Sequence, residues 1–381
     1  MNRGDFLRGT ANVVGAAATL PPSPFTPTLR LAVVCPQSGI DRVIGQQLVT
    51  GVRAAVDYEN NLRAPTDPAL LYTAYDDHNI PSDAVVQSSF AVGNPDTLAT
   101  IGHLSSAATL VALQGYGSAQ MPLIVPTVTD DQITAKGYRN IFRLPTKDSD
   151  EGGLVAQYAI STGSKAPHVV TQDGDYGPAV AGGFTRRASA MHMSAASTTC
   201  SLDKPDFAKA AADVLAHQPD CVALAGNAED LGPLMAILRA GGYTGRFLGT
   251  QGFFDALTVQ RFAKEAEGMV VSSNVPYYPL APTVARDVAD YQAHYGALTP
   301  VAAFGYAAVQ LIQLAQRRSG ATTRAGMIRA LATGGSYDTV TGSYTFGATG
   351  DVFDPNCYFY KVSGGKFAYE RQAHRSGFML K

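Results

Sequence analysis

From Leu29 onward short apolar runs alternate with stretches of helical spacing, and few architectures absorb that pattern. Residues 29–35 (LRLAVVC) are almost continuously apolar and end in Pro36-Gln37-Ser38-Gly39, as a strand buried on both faces does. Residues 45–60 follow with Leu48, Val49, Val52 and Val56 at helical spacing. Residues 72–75, 98–101 and 122–125 read as further strands, separated by helices over 82–92, with Ser82 as N-cap, and 106–116. Such alternation implies a parallel sheet covered by helices on both faces.

The pattern pauses over 138–150 and restarts. Strands are expected at 168–171, 193–198, 221–225 and 246–249, with helices near 179–190, 206–217, 229–241 and 256–265 between them. After an apolar stretch at 269–273 come helical segments at 284–295, 302–318 and 323–332, then strands and turns over 342–369. The expectation is an α/β protein of two doubly wound halves. Open sheets of this kind bind ligands beyond the carboxyl ends of their strands. The site is therefore expected in the loops 36–45, 102–108, 126–131, 172–178, 226–230 and 250–255.

Composition narrows the function classes. The 381 residues suffice for two cores. Apolar residues make up 46% and charged residues 16%, which excludes a disordered chain. Lys and Arg total 29 against 31 Asp and Glu, with no basic cluster to meet nucleic acid. Cys35, Cys200, Cys221 and Cys357 lie far apart in sequence, without zinc spacing. They read as free buried thiols, or as one Cys200–Cys221 bridge in an oxidising compartment.

Residues 1–26 differ from the rest. Arg3 and Arg8 precede a weakly apolar run with Ala16-Ala17-Ala18, and Pro21-Pro22-Ser23-Pro24 follow. This outlines an export signal; a soluble tail is the alternative. Arg3-Gly4-Asp5-Phe6-Leu7-Arg8 also resembles a twin-arginine signal with Gly4 in place of the second arginine.

Patterns for catalysis are missing: no P-loop, no strand-linked G-x-G-x-x-G, no H-E-x-x-H and no G-x-S-x-G occur. Asp76-Asp77-His78 and Asp173-Gly174-Asp175 read as polar turns rather than metal loops. No cofactor, metal or catalytic residue is expected. Hydroxyl residues do gather at helix starts. Ser105 and Ser106 after one strand, and Thr127 and Thr129 after the next, suit either ordinary capping or a carboxylate bound at a helix N-terminus.

In their order these segments resemble the leucine/isoleucine/valine-binding family of periplasmic solute-binding proteins. The resemblance rests on Leu31-Ala32-Val33-Val34 with Ser38-Gly39, Tyr75-Asp76-Asp77, Ile101-Gly102-His103-Leu104-Ser105-Ser106, and Gly137-Tyr138-Arg139 with Phe142-Arg143. Asp175-Tyr176-Gly177, Lys204-Pro205-Asp206-Phe207, Glu267-Gly268-Met269 and Tyr306-Ala307-Ala308-Val309-Gln310 continue it. It implies the type I periplasmic-binding fold: two Rossmann-like lobes joined by a three-crossover hinge, one of 27–146 plus 276–350, the other of 147–275 plus 351–381. It also implies a monomer in the periplasm that hands a small organic ligand, amino acid-like or carboxylate-bearing, to an ABC transporter permease. A sensor or carrier for a more apolar ligand is the alternative on this fold, and an enzyme is a remote third.

The resemblance also nominates site residues. Ser106, the backbone at Thr127 and the Thr129 hydroxyl would meet a ligand carboxylate, with Ser105 beside them. Tyr176 would close from the other lobe, and Asn227 stands in the family's tyrosine-rich loop. The acid that pairs with a ligand ammonium in the family is Gln251 here. Either Asp41, Glu229 or Asp230 replaces it, or the ligand is not an ordinary α-amino acid. Phe253, Phe254, Tyr277 and Tyr278 would line an aromatic pocket, or serve as core or surface aromatics. The family's cystine is lost, with His78 and Ser105 near its positions.

Overall fold

Two sheets, one all-parallel and one parallel with an antiparallel extension at one edge, carry the chain, each with its own apolar core. The structure is a computed structural model that describes residues 27–276 and 282–378. The export signal expected over 1–26 lies outside the described residues, as do Tyr277 and Tyr278.

The first sheet is built from β1 (Thr28–Cys35), α1 (Arg42–Leu62), β2 (Ala69–Asp76), α2 (Pro81–Gly93), β3 (Thr97–Gly102), α3 (Ser106–Ser118), β4 (Leu123–Val125), α4 (Gln132–Ala135) and β5 (Ile141–Arg143). Its strand order is β2-β1-β3-β4-β5, with every pairing parallel. The chain then crosses into α5 (Asp148–Ser161), β6 (Pro167–Gln172), α6 (Tyr176–Ala190), β7 (Ala196–Cys200), α7 (Phe207–Ala216), β8 (Cys221–Ala225), α8 (Ala228–Ala240), β9 (Arg246–Gly249), α9 (Ala256–Gln260) and β10 (Val270–Ser273). It returns with α10 (Pro282–Tyr295), α11 (Pro300–Ser319), α12 (Arg324–Thr333), β11 (Tyr337–Thr339) and β12 (Gly342–Tyr344). The last elements are β13 (Asn356–Ser363), β14 (Lys366–His374) and β15 (Gly377–Phe378), and they extend the second sheet to β15-β14-β13-β10-β9-β8-β6-β7.

The cores follow the same division. Leu31, Val33, Leu48 and Val52 pack with Tyr306, Val309 and Ile312 of α11. In the second sheet Val169 and Ala223 pack with Cys357 and Phe359 of β13.

The expected elements are present, with four differences, the first being that the strand expected at 193–198 runs Ala196–Cys200. The pause at 138–150 holds β5 and the start of α5, too short and too polar to stand out by periodicity. Helix α2 opens on Pro81, with Ile80 at the cap position, so Ser82 is not the N-cap; proline at the first turn supplies a preset φ and gives up an amide that has no partner there. Helix α9 ends at Gln260 rather than 265. All four cysteines are free and buried, so there is no Cys200–Cys221 bridge.

Hydrogen bonds stitch the crossovers together. The Thr146 amide donates to Asn274 Oδ1 (3.0 Å) and the Thr146 hydroxyl to the Asn356 carbonyl (2.6 Å). Beside them the guanidinium of Arg143, 0% exposed, donates to Asp351 through Nε (2.9 Å) and Nη2 (2.6 Å). Burial raises the Asp351 carboxyl, but Arg143, Thr134 and Lys147 outweigh it and hold the group below its ordinary value. Asp351→Asn leaves a buried guanidinium without its counter-charge, which costs about 3–5 kcal/mol. A clear drop in thermal unfolding temperature is expected; an unchanged one would show the pair to be dispensable.

Candidate functional site

A cleft of about 380 Å³ opens where the two sheets' carboxyl ends face each other, lined by Ser106, Thr129, Asp130, Asp148, Glu151, Asp175, Tyr176, Asn227, Gln251 and Gly252. That volume suits a small organic molecule. Five of the eight nominated residues line it: Ser106, Thr129, Tyr176, Asn227 and Gln251. They come from the loops after β3, β4, β6, β8 and β9, whereas the loop after β1 adds no lining residue among those described.

Helix α3 presents its start to this cleft. Ser105 is the N-cap, its Oγ accepting from the Ala108 amide (3.4 Å), so its role is the capping one. Ser106 follows at the first helical position, where the leading amides have no partner within the helix. Thr127 does not line the cleft; its hydroxyl donates to the carbonyls of Leu104 (3.2 Å) and His103 (3.4 Å) and ties the two loops together. Beside the loops in which the family's cystine is lost, a buried polar chain stands: His103 Nδ1 lies 2.6 Å from Asp77 Oδ2 and Nε2 3.1 Å from the Tyr116 hydroxyl.

Phe253 is corrected. It is fully buried in the second lobe's core with Leu224, Phe247 and Met269 and does not line the cleft. Phe254 packs at a tilt against the rings of Tyr360 and Phe367. The short 3-10 turn Gln251–Phe253 turns these rings inward, so the described lining is polar apart from the Tyr176 ring.

Gln251 also differs from expectation. Its Oε1 accepts from the Asn274 amide (3.1 Å) and from the Asn274 side chain, so the carbonyl faces the hinge. Its backbone amide donates to Glu151 Oε1 (2.6 Å). The Ser272 hydroxyl (2.6 Å) and the Tyr176 hydroxyl (3.0 Å) donate to the same carboxylate. Burial raises the Glu151 carboxyl, and these donors counter it.

The acids in the cleft are not Asp41, Glu229 or Asp230. They are Asp130, Asp148, Glu151 and Asp175. Asp148 and Glu151, three apart, share one face of α5. The run Asp148-Ser149-Asp150-Glu151 reads in sequence as an ordinary acidic first turn. The missed signal is Gly152 followed by Gly183: a Cβ on Gly152 would lie 1.9 Å from the Val180 carbonyl oxygen, and one on Gly183 1.9 Å from that of Ser149. Two glycines let α6 press onto α5 and bury its acidic end. Among the described residues no group of His, Cys, Asp or Glu is placed to hold a metal.

Burial pushes the Asp148 carboxyl up to about 7; the Thr129 hydroxyl opposes this, Glu151 and Asp131 add to it, and Arg143 opposes it. The folded protein thus keeps a proton that the unfolded chain releases near its ordinary value of 3.8. The Asp148 contribution to stability is therefore lost as pH rises from about 4 to about 7. Across that window the wild type's unfolding temperature should fall relative to Asp148→Asn; a constant difference would contradict the assignment.

Comparison with known proteins agrees with this fold. A family model described as periplasmic binding protein matches residues 28–366. A Leu/Ile/Val-binding protein of Citrobacter freundii is 27% identical over 354 residues, covering 91% of this chain and 94% of the relative. An ABC transporter substrate-binding protein from Desulfitobacterium hafniense in complex with Leu has a TM-score of 0.76 at 22% identity, covering 90% of this chain and 100% of that one. A solute-binding protein of an ABC transporter from R. palustris in complex with benzoate has a TM-score of 0.70 at 19% identity, covering 93% and 98%. At these identities the structures show the fold alone.

Proposed function

The chain belongs to the periplasmic binding protein family, and we propose that it is an exported receptor that closes over a small carboxylate-bearing organic ligand and delivers it to the permease of an ABC importer. It is a solute-binding protein, not an enzyme. The observation that carries the reading is the start of α3 opening into a cleft between two sheets, with Ser106 from one side and Tyr176, Asn227 and Gln251 from the other. Partial positive charge at a helix N-terminus and amides without helical partners suit a carboxylate. In this reading Ser106 and Thr129, both on the cleft wall, hold that carboxylate.

Closure would carry residues 27–146 with 276–350 as one body against 147–275 with 351–381, and the chain would act as a monomer. The stitched crossovers support a hinge at that boundary. Hinge closure around a ligand is a common way for two-lobed proteins to expel water from a site.

Ser106→Ala removes one hydrogen bond to a charged group, about 1.5–3 kcal/mol or roughly 10- to 150-fold in affinity. The unfolding temperature of the ligand-free protein should barely change. The probe is whichever amino acid or aromatic acid gives the largest thermal shift in a panel of both. A panel in which no solute raises the unfolding temperature would end the receptor reading.

Export is tested separately. Mature protein from the native host should begin between Ala18 and Pro27; intact Met1 in a cytoplasmic fraction would reject it.

A further inference from the structure

A further pocket, of about 220 Å³, opens between α5, α6 and the turn that joins β14 to β15. It shares no lining residue with the cleft. Its inner wall is held in place. Leu154 and Gln157 are 2% and 4% exposed, and the Gln157 side-chain amide donates to the His374 carbonyl (3.0 Å).

Three guanidiniums line this pocket, Arg186 and Arg187 from α6 and Arg375 from the turn, against one carboxylate, Asp150. Arg187 donates to Gln157 Oε1 and to the Arg375 carbonyl (3.2 Å), both neutral oxygens. Arg375 donates to the Phe353 carbonyl and stands 3.8 Å from Asp150 Oδ1, beyond hydrogen-bond length. Arg186 is exposed and makes no ion pair or side-chain hydrogen bond among the described residues. Asp354, on the neighbouring crossover, is taken by the Ser376 amide (3.0 Å) and hydroxyl (2.6 Å).

A helix dipole explains only part of this set. Arg186 and Arg187 stand near the end of α6, where positive charge is favoured. Arg375 comes from a different element, and its arrival beside them raises the repulsion rather than relieving it. The pocket is left with two positive charges in excess, which a dianion would neutralise.

We propose that this pocket binds a phosphate group, as inorganic phosphate or a small phosphate ester. Guanidinium forks match phosphate oxygens in pairs, and the Ser149 hydroxyl adds a neutral donor at the edge. A monocarboxylate would leave one positive charge without a partner. Helix α5 then serves two sites, turning Asp148 and Glu151 to the cleft and Ser149 and Asp150 to the pocket. The phosphate site does not depend on what the cleft binds.

Thermal unfolding in phosphate-free buffer tests this, with inorganic phosphate and glycerol 3-phosphate as probes. The unfolding temperature should rise saturably with at least one of them, and not with sodium chloride at matched ionic strength. The tighter probe tells free phosphate from an ester. Arg186→Gln, at an exposed position, should weaken that probe by about 10- to 150-fold, while Ser106→Ala should leave its binding unchanged. A rise no larger than chloride gives would overturn the proposal. So would binding that survives Arg186→Gln, or binding lost in Ser106→Ala, which would put the anion in the cleft. Each of these results leaves the receptor reading standing.

Discussion

The buried Arg143 guanidinium is the constraint on which the rest depends. It stands at the end of β5, where the chain leaves the first sheet, and joins Thr134, the Asp130 carbonyl and Asp351 of the last crossover. A charge with no solvent contact fixes its partners, because each donor left unpaired would cost free energy. The loop after β4, which brings Thr129 and Asp130 to the cleft, and the start of α5, which brings Asp148, are therefore held in register. Thr146, Asn274 and Asn356 continue that anchoring across the three crossovers.

That anchoring explains how a cleft can carry acids without collapsing. Arg143 is neutralised by Asp351 and is not available to the carboxylates facing the opening. Glu151 is stabilised by hydrogen bonds from α6, the loop after β9 and β10, so the second lobe's wall is ordered around one carboxylate. Asp148 has no such set of donors. The result is a polar pocket with helix-start amides on one side, at α3, and a set of acids on the other.

Much of this was legible in the sequence. Runs such as 29–35 and 221–225 identified strands almost to the residue, because a strand buried on both faces must be apolar throughout. Five of the eight nominated residues line the cleft because strand-to-helix loops are where open sheets put ligands. Periodicity did not reach the short β5 or the start of α5, whose first turn is acidic. Asp148 and Glu151 were missed for a related reason: helix starts are often acidic, and only the close α5–α6 approach makes these two buried. Phe253 failed in the opposite sense, since an apolar ring beside a predicted loop does not reveal which way the turn points it. The exchange at Gln251 was visible, but its meaning depended on Asn274, a residue no local pattern marked.

The account comes down to the chemistry of what the cleft holds. Protein purified without refolding from its native host, then denatured and analysed by mass spectrometry, should release a small organic molecule that bears a carboxylate. Release of a solute without a carboxylate would contradict the account.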